Sequence, residues 1–550
     1  MTDALTAESD GRRWLTFAIV VTSMFIVGVD NTIFGVLLPS LLHDLRTTLP
    51  SVQWVITGYP LVFASLLIVG GRIGDIFGFR RTFVTGAGLF GFGSLLCAFA
   101  TSVPHLLVGY VFLEGAGAAL MLPSALAIIS TVFHGRERGM AFTWYGVVAG
   151  LGVALGPVVG GFLTSSYSWR WAYGINVIVS PLVAIGALLL MPHDHPNGGR
   201  RGLDLRGAAL SALAMFSLVF GISQSARYGW WRPVGDVTVL GRVVWPTTRP
   251  VSAAPLAFVV AAVAAAWFVH VERRGQREGR DVLFDLTQLR YPRFRYGLLT
   301  TAVAVTGQMG MLLVLGVYLQ TGRGLSAAES GLWILPYGIG SILGARFVGW
   351  LVRRWTTTAA LRLGVALLVL GPLLMAAALR RDATFLSILP ATVGMGIGAG
   401  MTNAQLVNIS LWDVADAQMG TASGMVATAR QAGVAFGLAV MGATLATVSA
   451  SRSLAAVGRL PIPASVRAAA LREIERSGPS VASSAGAVRE AISAGVLSAA
   501  QLALVLAAAL AALGVLTTLL IPRLDERDGA PEAERPRLPP EAVAVAGAAT

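Results

Sequence analysis

Long apolar segments alternate with short polar ones along almost the whole chain. A helix needs about 20 consecutive apolar residues to cross roughly 30 Å of hydrocarbon, and about fourteen segments of that kind lie between Trp14 and Pro522. Their approximate bounds are 14–42, 52–70, 82–101, 105–131, 139–164, 171–191, 204–223, 253–271, 296–320, 328–350, 361–379, 384–408, 418–447 and 499–521. The pattern predicts an all-α integral membrane protein with about fourteen spans.

The composition supports this prediction. Hydrophobic residues make up 55% of the chain and charged residues only 13%, whereas charged residues make up about 25% of a soluble domain. The net charge of +13 does not indicate a nucleic-acid partner, because the arginines are spread over many connections and form no single basic face. The single cysteine, Cys97, excludes an intramolecular disulfide. We expect the lipid bilayer as the main partner and no nucleic acid.

The distribution of arginine predicts the orientation. Short connections on the side of the N-terminus are rich in arginine, and such connections usually face the cytoplasm. The residues counted there are Arg72, Arg80, Arg81, Arg136, Arg138, Arg200, Arg201, Arg206, Arg273, Arg274, Arg277, Arg280, Arg290, Arg293 and Arg295. With an even number of spans, both termini of this multi-pass protein are predicted to lie on the cytoplasmic side of the cell membrane. The first apolar segment lacks a convincing cleavage site, so we expect it to remain as the first span.

Two longer connections are predicted to face outward. Residues 223–250 contain three tryptophans, which commonly lie at the headgroup level, and residues 449–497 contain Val466–Arg476, whose spacing allows a short amphipathic helix. Interfacial packing and a role in admitting or releasing substrate are the two interpretations. The tail after Arg523 is predicted to be disordered. A metal site at His193–His195 is rejected, because no further ligand lies nearby.

The connection GGRIGDIFGFRR, Gly70–Arg81, is rich in both glycine and charge. Glycines let two helices approach and let the chain turn, an aspartate can face a helix N-terminus or an arginine, and arginines anchor a turn at the inner surface. The residues concerned are Gly71, Arg72, Gly74, Asp75, Gly78, Arg80 and Arg81. Chemistry alone leaves two interpretations, a plain positive-inside loop and a charged conformational latch.

This connection closely resembles the signature loop between the second and third helices of the major facilitator superfamily, in letters and in placement. GLGVALGPVVGG, Gly150–Gly161, resembles the fifth-helix signature of antiporters in that superfamily. VDNTIFGVLLPSL (Val29–Leu41), SWRWAYGINV (Ser168–Val177) and MGTASGMVATARQAGVAFG (Met419–Gly437) resemble motifs of its drug:proton antiporter family with fourteen spans. The match covers most of the chain from Trp14 to about Gly442.

The resemblance implies the major facilitator fold, with a six-helix bundle in residues 1–195 and another in residues 291–521. Two inserted spans and a linker would occupy residues 196–290, and a tail residues 522–550. It also implies alternating access, in which the bundles rock around a central site lined by spans 1, 4, 9 and 12. The energy source would be a proton gradient, with no cofactor.

In the fifth-helix motif, Gly152, Gly156 and Gly160 recur every four residues and share one helix face. Such a face allows close helix packing, and Pro157 favours a kink or pivot. The resemblance implies that this motif, which ends with Gly161, seals the cavity against ion leak.

Two carboxylates are predicted at membrane depth. Asp30 lies about ten residues before the outer end of span 1, and Glu114 about ten residues after the outer start of span 4. At about 1.5 Å per residue, both lie roughly 15 Å below the outer boundary. Because an ionisable residue within a span is costly, it is a functional hypothesis by default. We predict that both residues couple transport to protons; a purely structural carboxyl group is the alternative.

The sequence departs from the family in the fourth helix. The family motif carries an arginine three residues before a glutamine, and the matching positions here are Val111 and Glu114. Without a nearby cation, desolvation favours the protonated form of a carboxyl group. Glu114 is therefore predicted to carry a proton, and the family's own proton mechanism cannot simply be copied.

Other polar residues lie within the predicted spans. Asn31, Gln308, Asn403 and Gln405 are candidates for the substrate cavity, and Arg430 matches the family's arginine in the stretch TARQAG. Asn176 is also embedded. Hydrogen bonding to a neighbouring helix is the alternative role for each.

These observations predict a secondary active exporter that exchanges inward-moving protons for outward-moving amphipathic drugs or toxic organic compounds, with cations among the candidates. Export of an endogenous metabolite or lipid is the alternative on the same fold. No nucleophile elbow, HExxH motif or P-loop occurs, so neither an enzyme nor an ATP-driven pump is predicted. A membrane sensor or channel is the alternative from another class, and a monomer is expected.

Overall fold

The computed structural model describes residues 2–47, 49–133, 135–191, 204–239, 242–280, 282–284, 286–415, 418–477 and 486–524. These ranges are predominantly helical, which confirms the predicted fold class. His193–His195 and the predicted tail beyond residue 524 lie outside them.

The first six helices form the N-terminal half of the protein. They are α1 (Thr2–Asp44), α2 (Leu49–Phe77), α3 (Phe79–Ala98), α4 (Val103–Val132), α5 (Gly135–Ser166) and α6 (Arg170–Leu190). Within α4, residues Leu107–Glu114 are π-helical, between α-helical segments at Val103–Leu106 and Gly115–Val132. Their apolar side chains, among them Phe83, Phe90 and Tyr173, pack into one buried core.

The two inserted helices follow. They are α7 (Leu205–Tyr228), which the Asp204 side chain caps through the backbone N–H groups of Arg206 and Gly207, and α8 (Ala253–Arg277). Between them lies an antiparallel hairpin of β1 (Val237–Val239) and β2 (Arg242–Trp245). A 3₁₀ turn at Leu286–Arg290 leads into the next helix.

The remaining helices form the C-terminal half. They are α9 (Pro292–Gly322), α10 (Ala327–Arg354), α11 (Thr357–Ala378), α12 (Phe385–Ser410), α13 (Met419–Gly458), α14 (Ala464–Ser477) and α15 (Gly486–Leu519). The last five residues of α9, Tyr318–Gly322, are π-helical. A second buried core, which includes Tyr318, Met395 and Leu504, holds this half together.

Thirteen of the described helices are long and apolar enough to cross a membrane: all of these except α5 and α14. The predicted span 139–164 lies within α5, whose 32 residues would extend about 48 Å at 1.5 Å per residue. Thirteen spans together with α5 agree with the predicted total of about fourteen.

The structure corrects the predicted connections. The supposed loop Gly70–Arg81 is almost entirely helical, because α2 continues to Phe77 and α3 begins at Phe79. Only Gly78 separates them, with a φ of 96° that favours glycine. The predicted outer connection 449–497 is also shorter, since α13 ends at Gly458 and α15 begins at Gly486. Val466–Arg476 lies in helix α14, as predicted, whereas the strands β1 and β2 were not predicted.

The two halves meet along two seams. In one, α2 packs against α13, and in the other, α5 packs against α10 and α12. The inserted helix α7 packs on both α2 and α13, where Leu61, Val219 and Ala435 share an apolar cluster. The inserted pair therefore contacts both halves. We call the end of the bundle at which α2 meets α3 the Gly78 end.

The motif at Ser168–Val177 holds the opposite end of the N-terminal half together. Arg170 forms an ion pair with Asp44 and donates a hydrogen bond to the backbone oxygen of Ala100 at 3.0 Å. Trp169 Nε1 donates to Asp44 Oδ2 at 3.1 Å, and the Arg170 guanidinium lies 4.5 Å from the Trp169 ring centre. These contacts join the end of α1 to the start of α6.

Candidate functional site

Asp30 of α1 and Glu114 of α4 lie close together inside the N-terminal half. This position agrees with the similar depth that the sequence predicts for them. They are 1% and 0% exposed. Asn176 Nδ2 of α6 donates to Asp30 Oδ1 at 3.2 Å, and Ser94 Oγ of α3 donates to Glu114 Oε1 at 2.6 Å. The two carboxyl groups are close enough to hydrogen-bond to each other when one carries a proton. Four helices thus converge on one pair of acids.

The second oxygen of each acid is what makes this pair unusual. Asp30 Oδ2 and Glu114 Oε2 are buried and have no donor among the described residues while both groups are ionised. Among those residues, no arginine or histidine interacts with either acid. Two buried carboxylates without a cation repel each other and are poorly solvated. The arrangement is therefore suited to hold a proton between them.

Aromatic rings enclose the carboxyl pair. Tyr110 Oη donates to the backbone oxygen of Asp30 at 3.4 Å, and its ring stacks on Tyr59 at 4.7 Å and on Phe34 at 5.1 Å between centroids. Tyr173 meets Tyr110 edge to face at 6.0 Å. The rings leave the acids in surroundings of low polarity, which strengthens electrostatic interactions between them.

The replacement of the expected arginine by Val111 has a packing reason. Val111 is 3% exposed, and a Cβ added at Gly58 of α2 would lie 2.8 Å from Val111 Cγ1. An arginine side chain at this position would have to displace α2. The close contact between α2 and α4 therefore leaves no room for an arginine at position 111.

Two features of the acid site were not predicted from the sequence. Ser94 is one of several small residues in α3, and nothing marked it as a partner of Glu114. The π-helical segment of α4 ends at Glu114, and such segments are frequent at functional sites. Gly93 also matters, because its Cβ would lie 2.9 Å from Glu114 Cγ. The glycines of α3 are the one feature of the sequence that indicates a close approach of α3 to α4.

A second polar cluster lies in the C-terminal half. Arg430 Nη1 of α13 donates to Asn403 Oδ1 of α12 at 3.2 Å. Gln308 of α9 donates to the hydroxyl of Tyr337 of α10, and the charge of Arg430 acts on that tyrosine. Gln308 Oε1 is buried without a hydrogen-bond partner among the described residues. Three of the predicted polar residues, Arg430, Asn403 and Gln308, are therefore brought close to one another.

The C-terminal cluster reaches the N-terminal half through α5. A Cβ at Gly146 would lie 3.5 Å from Asn403 Cβ, and the charge of Arg430 acts on the neighbouring Tyr145. Two other predicted residues are not part of it. Asn31 is exposed on α1 and donates to its own helix, at Val27 O over 2.7 Å, and Gln405 lines a separate groove.

Asp75 joins the two halves at the Gly78 end. Its Oδ1 accepts the backbone N–H of Gly420 and its Oδ2 that of Thr421, both at 2.8 Å, and the Thr421 hydroxyl also donates to it. Gly71 is needed for this approach, because a Cβ there would overlap the backbone oxygen of Gly420. Ser423 Oγ adds a bond to Pro123 O at 2.9 Å. We name Gly71, Asp75, Gly420 and Thr421 the latch.

Gly74, Arg80 and Arg81 of the same stretch act within the N-terminal half. Arg80 donates to the backbone oxygens of Ala187, at 3.3 Å, and Leu188 at the end of α6. A Cβ at Gly74 would lie 2.9 Å from the Phe79 ring, and Arg81 is exposed. These residues shape and anchor the turn, whereas Asp75 crosses between the halves.

Glu272 of the inserted helix α8 is a further buried acid that the sequence analysis missed. It is 0% exposed and accepts the backbone N–H groups of Leu283 at 3.2 Å and Phe284 at 3.1 Å. Arg72, which is 6% exposed, interacts electrostatically with both Glu272 and Asp75. The inserted pair is thereby connected to the latch. The signal for it in the sequence is an acid directly after the predicted span 253–271.

The glycine face of α5 packs on α1. An added Cβ at Gly152 would overlap Phe25 O, one at Gly156 would overlap Thr32 Oγ1, and one at Gly160 would overlap Ile33 Cγ1. Close packing of this face is therefore confirmed. Helix α5 continues without a break through Pro157 and Gly161. The sealing role stays a prediction.

Two halves with six long helices each, a glycine-rich contact between α2 and α13 and buried charges in each half are the features of a membrane transport protein and not of an enzyme. The family model described as Major Facilitator Superfamily matches residues 20–438. The chain belongs to the Major Facilitator Superfamily, which confirms the resemblance found in the sequence.

Relatives and solved structures agree with this assignment. The chain is 33% identical over 453 residues to the probable actinorhodin transporter of Streptomyces coelicolor, covering 81% of this chain and 75% of that one. It is 30% identical over 545 residues to the tetracenomycin C resistance and export protein of Streptomyces glaucescens, covering 95% and 94%. The structure of the proton:xylose symporter XylE aligns with a TM-score of 0.57 at 12% identity, over 94% and 98% of the two chains. The last likeness shows the fold alone.

Proposed function

We propose that this protein is a proton-coupled antiporter that exports amphipathic organic compounds of the antibiotic or toxic type. The observation that carries the proposal is the Asp30–Glu114 pair, which is buried and interacts with no arginine or histidine among the described residues. The relatives support the cargo, because their names describe the transport of actinorhodin and the export of tetracenomycin C. As predicted from the arginine distribution, the Gly78 end would face the cytoplasm.

In this mechanism the pair binds one proton between its two carboxyl groups when the outer side is open. Protonation removes the negative charge of one acid and satisfies a buried oxygen that otherwise has no donor among the described residues. Once the latch opens toward the cytoplasm, loss of the proton restores the repulsion within the pair. The free energy of the proton gradient then drives the change between the outward-open and the cytoplasm-open state. The two states differ in their affinity for the proton and for the substrate.

Asp30 and Glu114 belong to the N-terminal half, and the polar cluster around Arg430 belongs to the C-terminal half. A compound bound between the halves would meet Arg430, Asn403 and Gln308 on the C-terminal side, while the acid pair lies buried within the N-terminal half. The proposed substrate therefore has an apolar body with polar groups at its edge.

Inverted membrane vesicles test the coupling. Respiration acidifies their interior, which a pH-sensitive dye reports, and compounds are added from a panel of toxic amphiphiles. Compounds to which expression confers resistance should release protons from wild-type vesicles but not from vesicles without the protein. Export of such a compound with no proton release would contradict proton antiport.

The second candidate, export of an endogenous metabolite or lipid on the same fold, is favoured by one observation. Val111 occupies the position of the arginine that the family resemblance led us to expect. If the panel gives no resistance, while a compound made by the source cell accumulates when the gene is deleted, the second candidate replaces the first.

A further inference from the structure

A groove opens at the Gly78 end between the first turns of α5 and the second half of α10, with α12 at its base. Its volume is about 1060 Å³, slightly above the roughly 300–1,000 Å³ of small-molecule sites. Exposed aromatic side chains line both sides, namely Trp144 on α5 and Phe347 and Trp350 on α10. The last two rings are stacked, with centroids 5.1 Å apart. Such a surface is suited to a planar aromatic molecule.

The charge of the groove is positive. Arg346 and Arg353 line it, are exposed, and have no hydrogen-bond or ion-pair partner within the described ranges. Its acid, Glu137, is already paired with Arg13 at 3.5 Å. Because two arginines line the groove and its acid already has a cationic partner in Arg13, the groove favours a ligand that carries a negative charge.

The base of the groove contains a polar atom that lacks a partner. Gln405 lines the groove and is only 2% exposed. Its Oε1 is buried and accepts no hydrogen bond from any described residue. A buried acceptor left in this state costs free energy, which a ligand with an N–H or O–H group would recover.

We propose that this groove admits acidic aromatic amphiphiles from the membrane leaflet at the Gly78 end. The ring system lies against Trp144, Phe347 and Trp350, the acid group is held by Arg346 and Arg353, and an N–H or O–H group donates to Gln405. This inference rests on the proposed export function and names its substrate class. It differs from the prediction of cationic cargo, because the groove offers no free acid among the described residues.

The test compares two dyes that share one ring system. 8-Anilinonaphthalene-1-sulfonate carries a sulfonate, whereas N-phenyl-1-naphthylamine has the same aromatic skeleton and anilino N–H without the charge. Binding of each to the full-length protein in phosphatidylcholine nanodiscs is measured by fluorescence, with empty nanodiscs subtracted. Wild-type protein should bind the sulfonate more tightly than the neutral dye.

The variants separate the contributions. Arg346→Gln combined with Arg353→Gln should weaken sulfonate binding about five- to tenfold, as expected for two exposed charge contacts, and leave the neutral dye unchanged. Gln405→Leu should weaken both dyes about fivefold, because both donate an N–H. Arg354→Gln is the matched control, since Arg354 is exposed on the same helix turn but does not line the groove. Equal sulfonate binding by the double variant and this control would overturn the proposal.

The other occupant would be an anionic lipid. Repeating the measurement with phosphatidylglycerol in the nanodiscs should preserve sulfonate binding by the wild type. If the double-variant effect disappears because the lipid has displaced the dye, the groove is a lipid site and the proposal fails. Binding is measured without a proton gradient, so failure here is distinguishable from failure of the proposed antiport, which the vesicle experiment reports.

Discussion

Asp75 and Thr421 form a double hydrogen bond across the two halves, in which the Asp75 carboxylate accepts both the backbone N–H and the hydroxyl of Thr421. The N–H groups at the start of α13 have no partner within their own helix and carry a partial positive charge, so a carboxylate is the best acceptor for them. The bond exists only while the ends of α2 and α13 touch. Opening of the Gly78 end must therefore break it.

Asp75→Asn should slow transport without preventing membrane insertion. An amide has one acceptor oxygen where the carboxylate has two, so at least one N–H of Gly420 or Thr421 loses its partner, and a hydrogen bond to a charged group contributes about 1.5–3 kcal/mol. The equilibrium would shift away from the latched state. The initial export rate, normalised to the amount of protein in the membrane, should fall several-fold. Asp236→Asn is the control, because Asp236 is an exposed acid directly before β1; equal rates in both variants would contradict a latch.

Most of the fold could be predicted because the bilayer imposes one length scale on every span. The alternation of apolar and polar segments predicts the helices, and the predicted span 418–447 begins one residue before α13. Helix ends are predicted less accurately, since the glycines and charges of Gly70–Arg81 predict a connection where the structure has helix. Helix α2 extends into this stretch, where Gly71 packs against the backbone of Gly420 in α13 and the Asp75 carboxylate accepts the Gly420 N–H.

The candidate site was predicted in part. A shared depth placed Asp30 and Glu114 together, but depth says nothing about which side chains meet on neighbouring helices. Ser94 and the π-helical turn of α4 depend on the rotation of α3 against α4, which the sequence does not specify. Gln405 is only two residues from Asn403 in the sequence, which predicts a shared cavity, but a helix turns by about 200° over two residues. Gln405 therefore faces a separate groove.

Glu272→Gln should shift the conformational equilibrium away from the latched state, although Glu272 is not part of the latch. The amide keeps the acceptor oxygen and the size of the side chain, but it removes one of the two negative charges that face Arg72. In a background of Cys97→Ala and Ser423→Cys, alkylation by N-ethylmaleimide reports opening, since Ser423 is 0% exposed in the latched state. We expect several-fold faster alkylation.

Glu278→Gln is the matched control for this experiment, because Glu278 is an exposed acid at the end of the same helix. A hydrogen bond from Arg274 holds its pKa below the usual range, and it does not interact with Arg72. If both variants alkylate at the rate of the parent protein, the inserted pair has no influence on the latch.

Gly156→Ala should destabilise the protein through the contact of α5 with α1. The added Cβ would overlap Thr32 Oγ1 and lie 2.8 Å from Val29 O, so the two helices must move apart; overpacking of this kind costs typically 1–3 kcal/mol. Gly316→Ala adds the same atom where nothing lies within 4 Å. The apparent Tm in detergent, from fluorescence-detected gel filtration after heating, should fall only for Gly156→Ala. An unchanged Tm would show that α1 and α5 are not held in close contact.

Asp44→Asn should give a small, pH-dependent loss of stability. Hydrogen bonds from Arg170 and Trp169 hold the pKa of Asp44 below its usual range, near 3.9 in an unfolded chain. The stabilisation is therefore fully present above about pH 5 and is lost as the pH falls through the lower folded-state value. Because the pair is exposed, the loss at pH 7 should not exceed about 1 kcal/mol. Thermal unfolding should show the difference from wild type shrinking toward pH 3 and in 1 M salt; a difference that grows toward low pH would contradict this assignment.

Glu114→Gln gives the most direct test of the mechanism. Glutamine can still accept the hydrogen bond of Ser94 and can donate to Asp30, so it imitates the protonated pair without being able to release the proton. Substrate binding should survive, whereas uphill export driven by a pH gradient should fail. Exchange of labelled for unlabelled substrate in proteoliposomes, which needs no net proton movement, should continue at a measurable rate.

Asp30→Asn should be at least as damaging, because it also disturbs the bond from Asn176. If the two acids hold one proton between them, the double variant should add little to either single variant, since residues that act as a unit are not additive. Ser94→Ala is the matched control: it removes a hydrogen bond to Glu114 but no titratable group, so it should shift the pH at which export is half-maximal and retain uphill transport. Export by Glu114→Gln at the wild-type rate would show that Glu114 is a buried polar residue only, and would leave Asp30 as the proton carrier of the N-terminal half.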